Sequence, residues 1–312
     1  MTDLFPGFQR RRIAAAGIEI NCRLGGEGPA VLLLHGYPET HACWHRLAPA
    51  LTGAFSVVVP DLPGYGDSDC VEPDPANRQY SKRQTAVVMA ELMGALGHQR
   101  YAVVGHDRGA RVAYRLTLDR PDLVTRLALF DILPTIETWE AMTGASAIDE
   151  FHWPFLAQPG GLPEGLIDRD PDFFLRYLMS RWAGDVGRID TQALAEYLRC
   201  FRRSPVIRAT CADYRAGATV DVADDEADRK AGRRISCPLL LLWAGRDRDL
   251  LPIWRRWATD VRGEGLDCGH FLQEEAPAEV LARLRPFLNE AATKSLDPAR
   301  IGGVLNSAVD ET

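Results

Sequence analysis

The chain has 312 residues, 46% hydrophobic and 25% charged, an ordinary soluble composition long enough for one large domain or a core with a lid. A net charge of -7 excludes the basic face of a nucleic-acid binder, so any anionic ligand has to be met by local arginines. No segment approaches the ~20 consecutive apolar residues of a membrane span.

The first residues, Met1 to Pro6, show no basic region followed by an apolar stretch, and a cytoplasmic location is expected. Cysteines at 22, 43, 70, 200, 211, 237 and 268 lack the short spacings of metal or redox sites and read as reduced, packed thiols. Short, nearly continuous apolar runs occur at Ala30–Leu34, Phe55–Val59, Tyr101–Val104, Leu127–Phe130 and Pro238–Trp243. Helical stretches such as Arg83–Leu96 and Ala110–Leu118 separate them, the pattern of a parallel sheet covered on both faces. The fold class is therefore α/β, with ligands expected at the carboxyl ends of the strands. His35-Gly-Tyr-Pro38 follows the first run and resembles a loop that donates a backbone N–H to an oxyanion, from Tyr37 together with the amide of Arg108.

After the third run, Gly105-His-Asp-Arg-Gly-Ala-Arg111 has the glycine spacing of a nucleophile elbow with Asp107 in the nucleophile's place. A carboxylate attacking an acyl group gives only a labile anhydride. Attack on an sp3 carbon instead gives an alkyl ester that water can open, so halide or epoxide oxygen is the natural leaving group. Arg108 and Arg111 follow at the start of the elbow helix, where a helix N-terminus already favours anions, and can clamp a carboxylate. Asp131 ends the next run and is one candidate to orient the base.

Residues 136–235 change to helical spacing and read as an inserted helical cap on a core formed by 1–135 and 236–290. His152, Trp153 and Tyr214 offer polar-tipped side chains able to stabilise a departing halide. Asp221 to Asp228 reads as an acidic, solvated stretch near the close of the cap. After the last run, Asp247 and Asp249 compete with Asp131 as the acid, and His270, in Asp267-Cys-Gly-His-Phe271, is the expected base. The tail, 291–312, is expected to be flexible.

Taken together, Gly105–Arg111, Asp131-Ile-Leu-Pro-Thr135, His152-Trp153, Trp182, Asp213-Tyr-Arg-Ala-Gly-Ala218 and Cys268-Gly-His-Phe271 resemble the fluoroacetate dehalogenases of the α/β-hydrolase superfamily. The resemblance runs from Leu4 to about Leu288. It implies an α/β-hydrolase fold, with fluoroacetate and water as substrates and neither metal nor organic cofactor. Asp107 is then the nucleophile, His270 the base and Asp131 its partner, with Arg108 and Arg111 on the carboxylate. His152, Trp153 and Tyr214 match the halide site and Trp182 a pocket residue. A homodimer is also implied. Epoxide hydrolases, which share the elbow aspartate, and a non-catalytic ligand receptor on the same fold are the rival readings.

Overall fold

The computed structural model describes residues 3–245 and 248–295. Eight strands form one sheet: β1 (Gln9–Ala15), β2 (Ile18–Gly25), β3 (Ala30–Leu34), β4 (Ser56–Pro60), β5 (Tyr101–His106), β6 (Val124–Phe130), β7 (Leu239–Ala244) and β8 (Val261–Leu266). Their order is β1-β2-β4-β3-β5-β6-β7-β8, with β2 antiparallel to both of its neighbours, β1 and β4, and the remaining pairs parallel. The five apolar runs supply β3 to β7, and β3 is buried along its whole length because helices cover both faces.

Three strands add to the five expected. In β1, Gln9 to Arg12 are exposed on the edge, so the strand carries arginines instead of an apolar run. β8, Val-Arg-Gly-Glu-Gly-Leu, holds the other edge with two glycines and alternating exposure. Such strands are held by backbone pairing, which composition does not reveal.

The elbow helix, Asp107–Asp119, leaves β5 directly, and Asp107 takes φ 43°, a left-handed conformation that presents its side chain at the sheet's carboxyl edge. A Cβ on Gly109 would collide with the carbonyls of Leu34 and His35, so only glycine lets this helix seat on β3. Between β6 and β7 the chain leaves the sheet and forms an insertion that runs from the helix Thr135–Ala141 to the helix Val220–Lys230.

The insertion closes differently from expectation. Val220–Lys230 is a helix, and Asp221, Asp225 and Asp228 are buried at 3%, 0% and 2% exposure instead of solvated. Asp225 and Asp228 meet Arg115 of the elbow helix, and Asp221 accepts from the backbone of Lys82. At the other end, the helix Pro277–Ser295 passes the expected boundary at residue 291; residues 296–312 lie outside the described residues. All seven cysteines are unpaired. No helix among the described residues is long and apolar enough to cross a membrane.

Candidate active site

The carboxyl ends of β5, β6 and β7, the loop before the helix Leu272–Glu275, and the insertion enclose a cavity of about 280 Å³. Asp107, Arg111, Asp131, His152, Trp153, Trp182 and His270 all line it, joined by Thr138 and by Glu150 and Arg248, the last two not assigned to the site by sequence reading.

Asp107 is 9% exposed, and its Oδ2 accepts the Tyr37 backbone N–H at 2.9 Å. No described residue donates to Oδ1, so one oxygen is tied and the other is open to the cavity. Burial alone would raise this carboxyl, but His270, His106, Arg108 and Arg111 outweigh it and hold the group down at about 2. It is therefore ionised and available as a nucleophile at neutral pH.

His270 Nδ1 lies 2.7 Å from Asp131 Oδ2, and Asp131 Oδ1 accepts the Ala244 backbone N–H at 3.0 Å. Asp131, not Asp249, thus reaches the histidine: Asp249 is exposed and caps its own chain at Leu251 N, and Asp247 lies outside the described residues. Burial disfavours the imidazolium, yet the hydrogen bond and charge of Asp131, then the charge of Asp107, raise His270 to about 9. The histidine backbone is fixed as well, since His106 Nε2 lies 2.8 Å from its carbonyl and its amide donates to Trp182 O at 2.9 Å.

Arg108, Arg111 and Arg115 fall at i, i+3 and i+7, on one face of the elbow helix, and are 0%, 4% and 2% exposed. The outer two are neutralised by the insertion: Arg108 by Asp213 at 2.8 Å, and Arg115 by Asp225 at 2.8 Å and by Asp228. The middle one is not. Arg111 donates only to neutral oxygens, Leu133 O at 2.9 Å and the hydroxyls of Thr135 and Thr138 at 3.3 Å, and its Nε has no partner. Among the described residues no carboxylate comes within 4 Å of it. Burial first, and Arg108 next, lower its pKa.

Arg108 departs from the expected paired clamp. Its Nε and Nη2 are both taken by Asp213, leaving only the two N–H groups of a buried Nη1 without a partner. The aromatic wall lies against these cations, with Trp153 at 4.4 Å from Arg111 and Tyr214 at 4.1 Å from Arg108. His152 packs on Trp182 at 4.5 Å and on Tyr214 at 5.7 Å. Burial brings His152 down to about 3, so it is neutral with one N–H to give. Neither Trp153 Nε1 nor the Tyr214 hydroxyl has a hydrogen-bond partner among the described residues. The expected trio is thus brought together as three donors without hydrogen-bond acceptors, the Glu150 carboxylate standing 3.9 Å from His152 Nε2. No group of three or more potential metal ligands occurs among the described residues.

Comparison with known proteins agrees with this architecture. The profile of the alpha/beta hydrolase family matches residues 31–284. The chain belongs to the α/β hydrolase family. The fluoroacetate dehalogenase of a Burkholderia species is 40% identical over 92% of this chain and 96% of its own. The soluble epoxide hydrolase of a Corynebacterium species is 32% identical over 85% of this chain and 92% of its own. A Nostoc relative of known structure superposes with a TM-score of 0.88 at 47% identity, covering 90% of this chain and 98% of that one. The chain is thus a hydrolase, similar both to a fluoroacetate dehalogenase and to an epoxide hydrolase.

Proposed function

We propose that this α/β hydrolase removes halide from small 2-haloacids, with fluoroacetate as the reference substrate. The observation that carries the reading is Arg111, a buried guanidinium beside Asp107 with only neutral partners. Between two neutralised arginines it leaves room for one anion, and a carboxylate held there presents its α-carbon to Asp107 Oδ1. Attack by Oδ1 breaks the carbon–halogen bond; the halide leaves with the electron pair toward the donors of His152, Trp153 and Tyr214. Those donors matter most for fluoride, whose strong hydration has to be replaced. The helical insertion acts as the cap that supplies them.

The alkyl ester is then opened by water. His270 Nδ1 is held by Asp131, so Nε2 is the atom that takes the proton from water, and attack at the ester carbonyl builds charge on Oδ2, where Tyr37 N–H already donates. Ester formation also prepares the base. It erases the Asp107 charge, one of the causes that raise His270 to about 9, so the imidazole becomes easier to keep neutral once the ester exists. Collapse returns the Asp107 carboxylate and releases the hydroxy acid.

The epoxide-hydrolase reading shares Asp107 and His270, but a neutral epoxide leaves Arg111 without a counter-ion. The deciding experiment measures fluoride release from fluoroacetate with an ion-selective electrode, beside turnover of chloroacetate and of a neutral epoxide. We expect fluoride from the native protein, none from Asp107→Asn, and in His270→Asn a stable mass increase on the peptide containing Asp107. Turnover of the epoxide alone would overturn the reading, and unchanged function in Asp107→Asn would favour a receptor.

A further inference from the structure

Asp213 precedes Tyr214 on the helix Ser204–Ala218, is 4% exposed, and gathers donors from three side chains. Arg108 Nε reaches its Oδ2 at 2.8 Å, and Arg108 Nη2 reaches both its Oδ1 and its backbone carbonyl at 2.9 Å. The Tyr65 hydroxyl donates to Oδ2 at 2.8 Å, and the buried Lys82 Nζ closes on Oδ1. One turn on, the bare Cα of Gly217 makes space for the guanidinium, since a Cβ there would sit 3.2 Å from Arg108 Nη2. Behind Lys82, Asp221 Oδ2 stands at 3.8 Å and Asp221 Oδ1 accepts the Lys82 backbone N–H.

This arrangement has two effects on the anion site. It locks the guanidinium in one orientation, because three of its N–H directions are spent on a single residue and only Nη1 is left without a partner. It also places a full negative charge against Arg108, so the potential at the anion site comes mainly from Arg111. A site with two bare guanidiniums would hold a small carboxylate tightly in every state, and equal binding of substrate, transition state and product does not raise turnover.

We propose that Asp213, with Lys82 behind it, is the positioning residue of the anion clamp, aiming the Nη1 of Arg108 while withdrawing most of that cation's charge, so that anion affinity is given up for geometry and release. The inference rests on the anion-processing reading of the site. Neutralising Asp213 should therefore strengthen anion binding and weaken turnover, a split that general loosening of the fold does not produce.

The test compares Asp213→Asn with the double variant Asp213→Asn/Lys82→Met. The first removes one negative charge while Asp221 stays to hold Lys82 charged; the second also removes a positive charge and restores the balance. Glycolate binding is measured by calorimetry, fluoride release from fluoroacetate gives kcat and KM, and a melting curve reports folding. We expect Asp213→Asn to bind glycolate several-fold more tightly, with kcat at least tenfold lower and KM not raised. In the double variant glycolate affinity should return to near the native value while kcat stays low. Unchanged or weaker glycolate binding in a folded Asp213→Asn, or an unchanged kcat, overturns the proposal. If Asp213→Asn does not fold, Asp213→Glu keeps the charge and moves it by one methylene. It should then hold glycolate affinity within a few-fold and lose turnover, and native turnover in that variant overturns the proposal. A native protein that binds glycolate but releases no fluoride refutes dehalogenation and leaves the binding comparison to decide the clamp; one that binds no glycolate refutes both.

Discussion

A buried cation without a counter-ion costs stability, because the charge gives up its hydration and gains only dipoles in exchange. Arg111 sits in that position, and the lowering of its pKa by burial and by Arg108 expresses the same cost. Replacing it by glutamine should therefore leave the melting temperature unchanged or higher, while KM for a haloacid rises roughly a hundredfold or more, the worth of two charge-assisted hydrogen bonds. A steep fall in melting temperature with unchanged KM would show that the arginine serves the fold. Asp107, Arg111 and His270 were legible because glycines and strand ends mark where they stand. Asp213 was not, since its partners Lys82 and Arg108 lie more than a hundred residues earlier and nothing local distinguishes a buried aspartate from a helix-surface one.

Single carboxylates also hold whole elements in place around the base. Glu275, 5% exposed, accepts four backbone N–H groups: Gly184 at 2.8 Å, Asp185 at 3.1 Å, Gly269 at 3.1 Å and Phe271 at 3.1 Å. It thereby joins the segment after the helix Pro171–Trp182 to the loop that bears His270. Glu275→Ala would strand those donors, so a loss of about 2–4 kcal/mol is expected, with reduced turnover of any substrate. Urea titration checks the size, and a loss below ~1 kcal/mol would mean that water serves these amides equally well. The helix Val220–Lys230 carries the same lesson. Its aspartates looked solvated because composition counts charges but not their facing, whereas Asp221, Asp225 and Asp228 share one side at helical spacing and meet cations from other elements. β1 and β8 escaped notice for the complementary reason, being edges whose pairing is made by the backbone.

On the scale of the whole molecule, the parallel sheet was readable from five apolar runs, but the way the insertion is fastened to it was not. One fastening is Glu274, fully buried, whose Oε1 accepts the Tyr197 hydroxyl at 2.6 Å and whose Oε2 accepts the Asp190 N–H at 3.3 Å, both from the insertion. Burial first, and the neighbouring charge of Glu39 next, raise its pKa from 4.5 to about 8. The folded protein then keeps a proton that the unfolded chain has released, so this contribution to stability is complete below pH 4.5 and is lost as pH rises through about 8. Inside that window the slope from one such group is about 1.4 kcal/mol per pH unit. Glu274→Gln copies the shape of the protonated acid and cannot ionise. Its melting temperature should fall less between pH 5 and pH 9 than that of the native protein, with the two curves drawing apart toward the alkaline end. Parallel curves would mean that the folded molecule holds Glu274 ionised, and that the insertion is fastened by a charge instead of a buried acid.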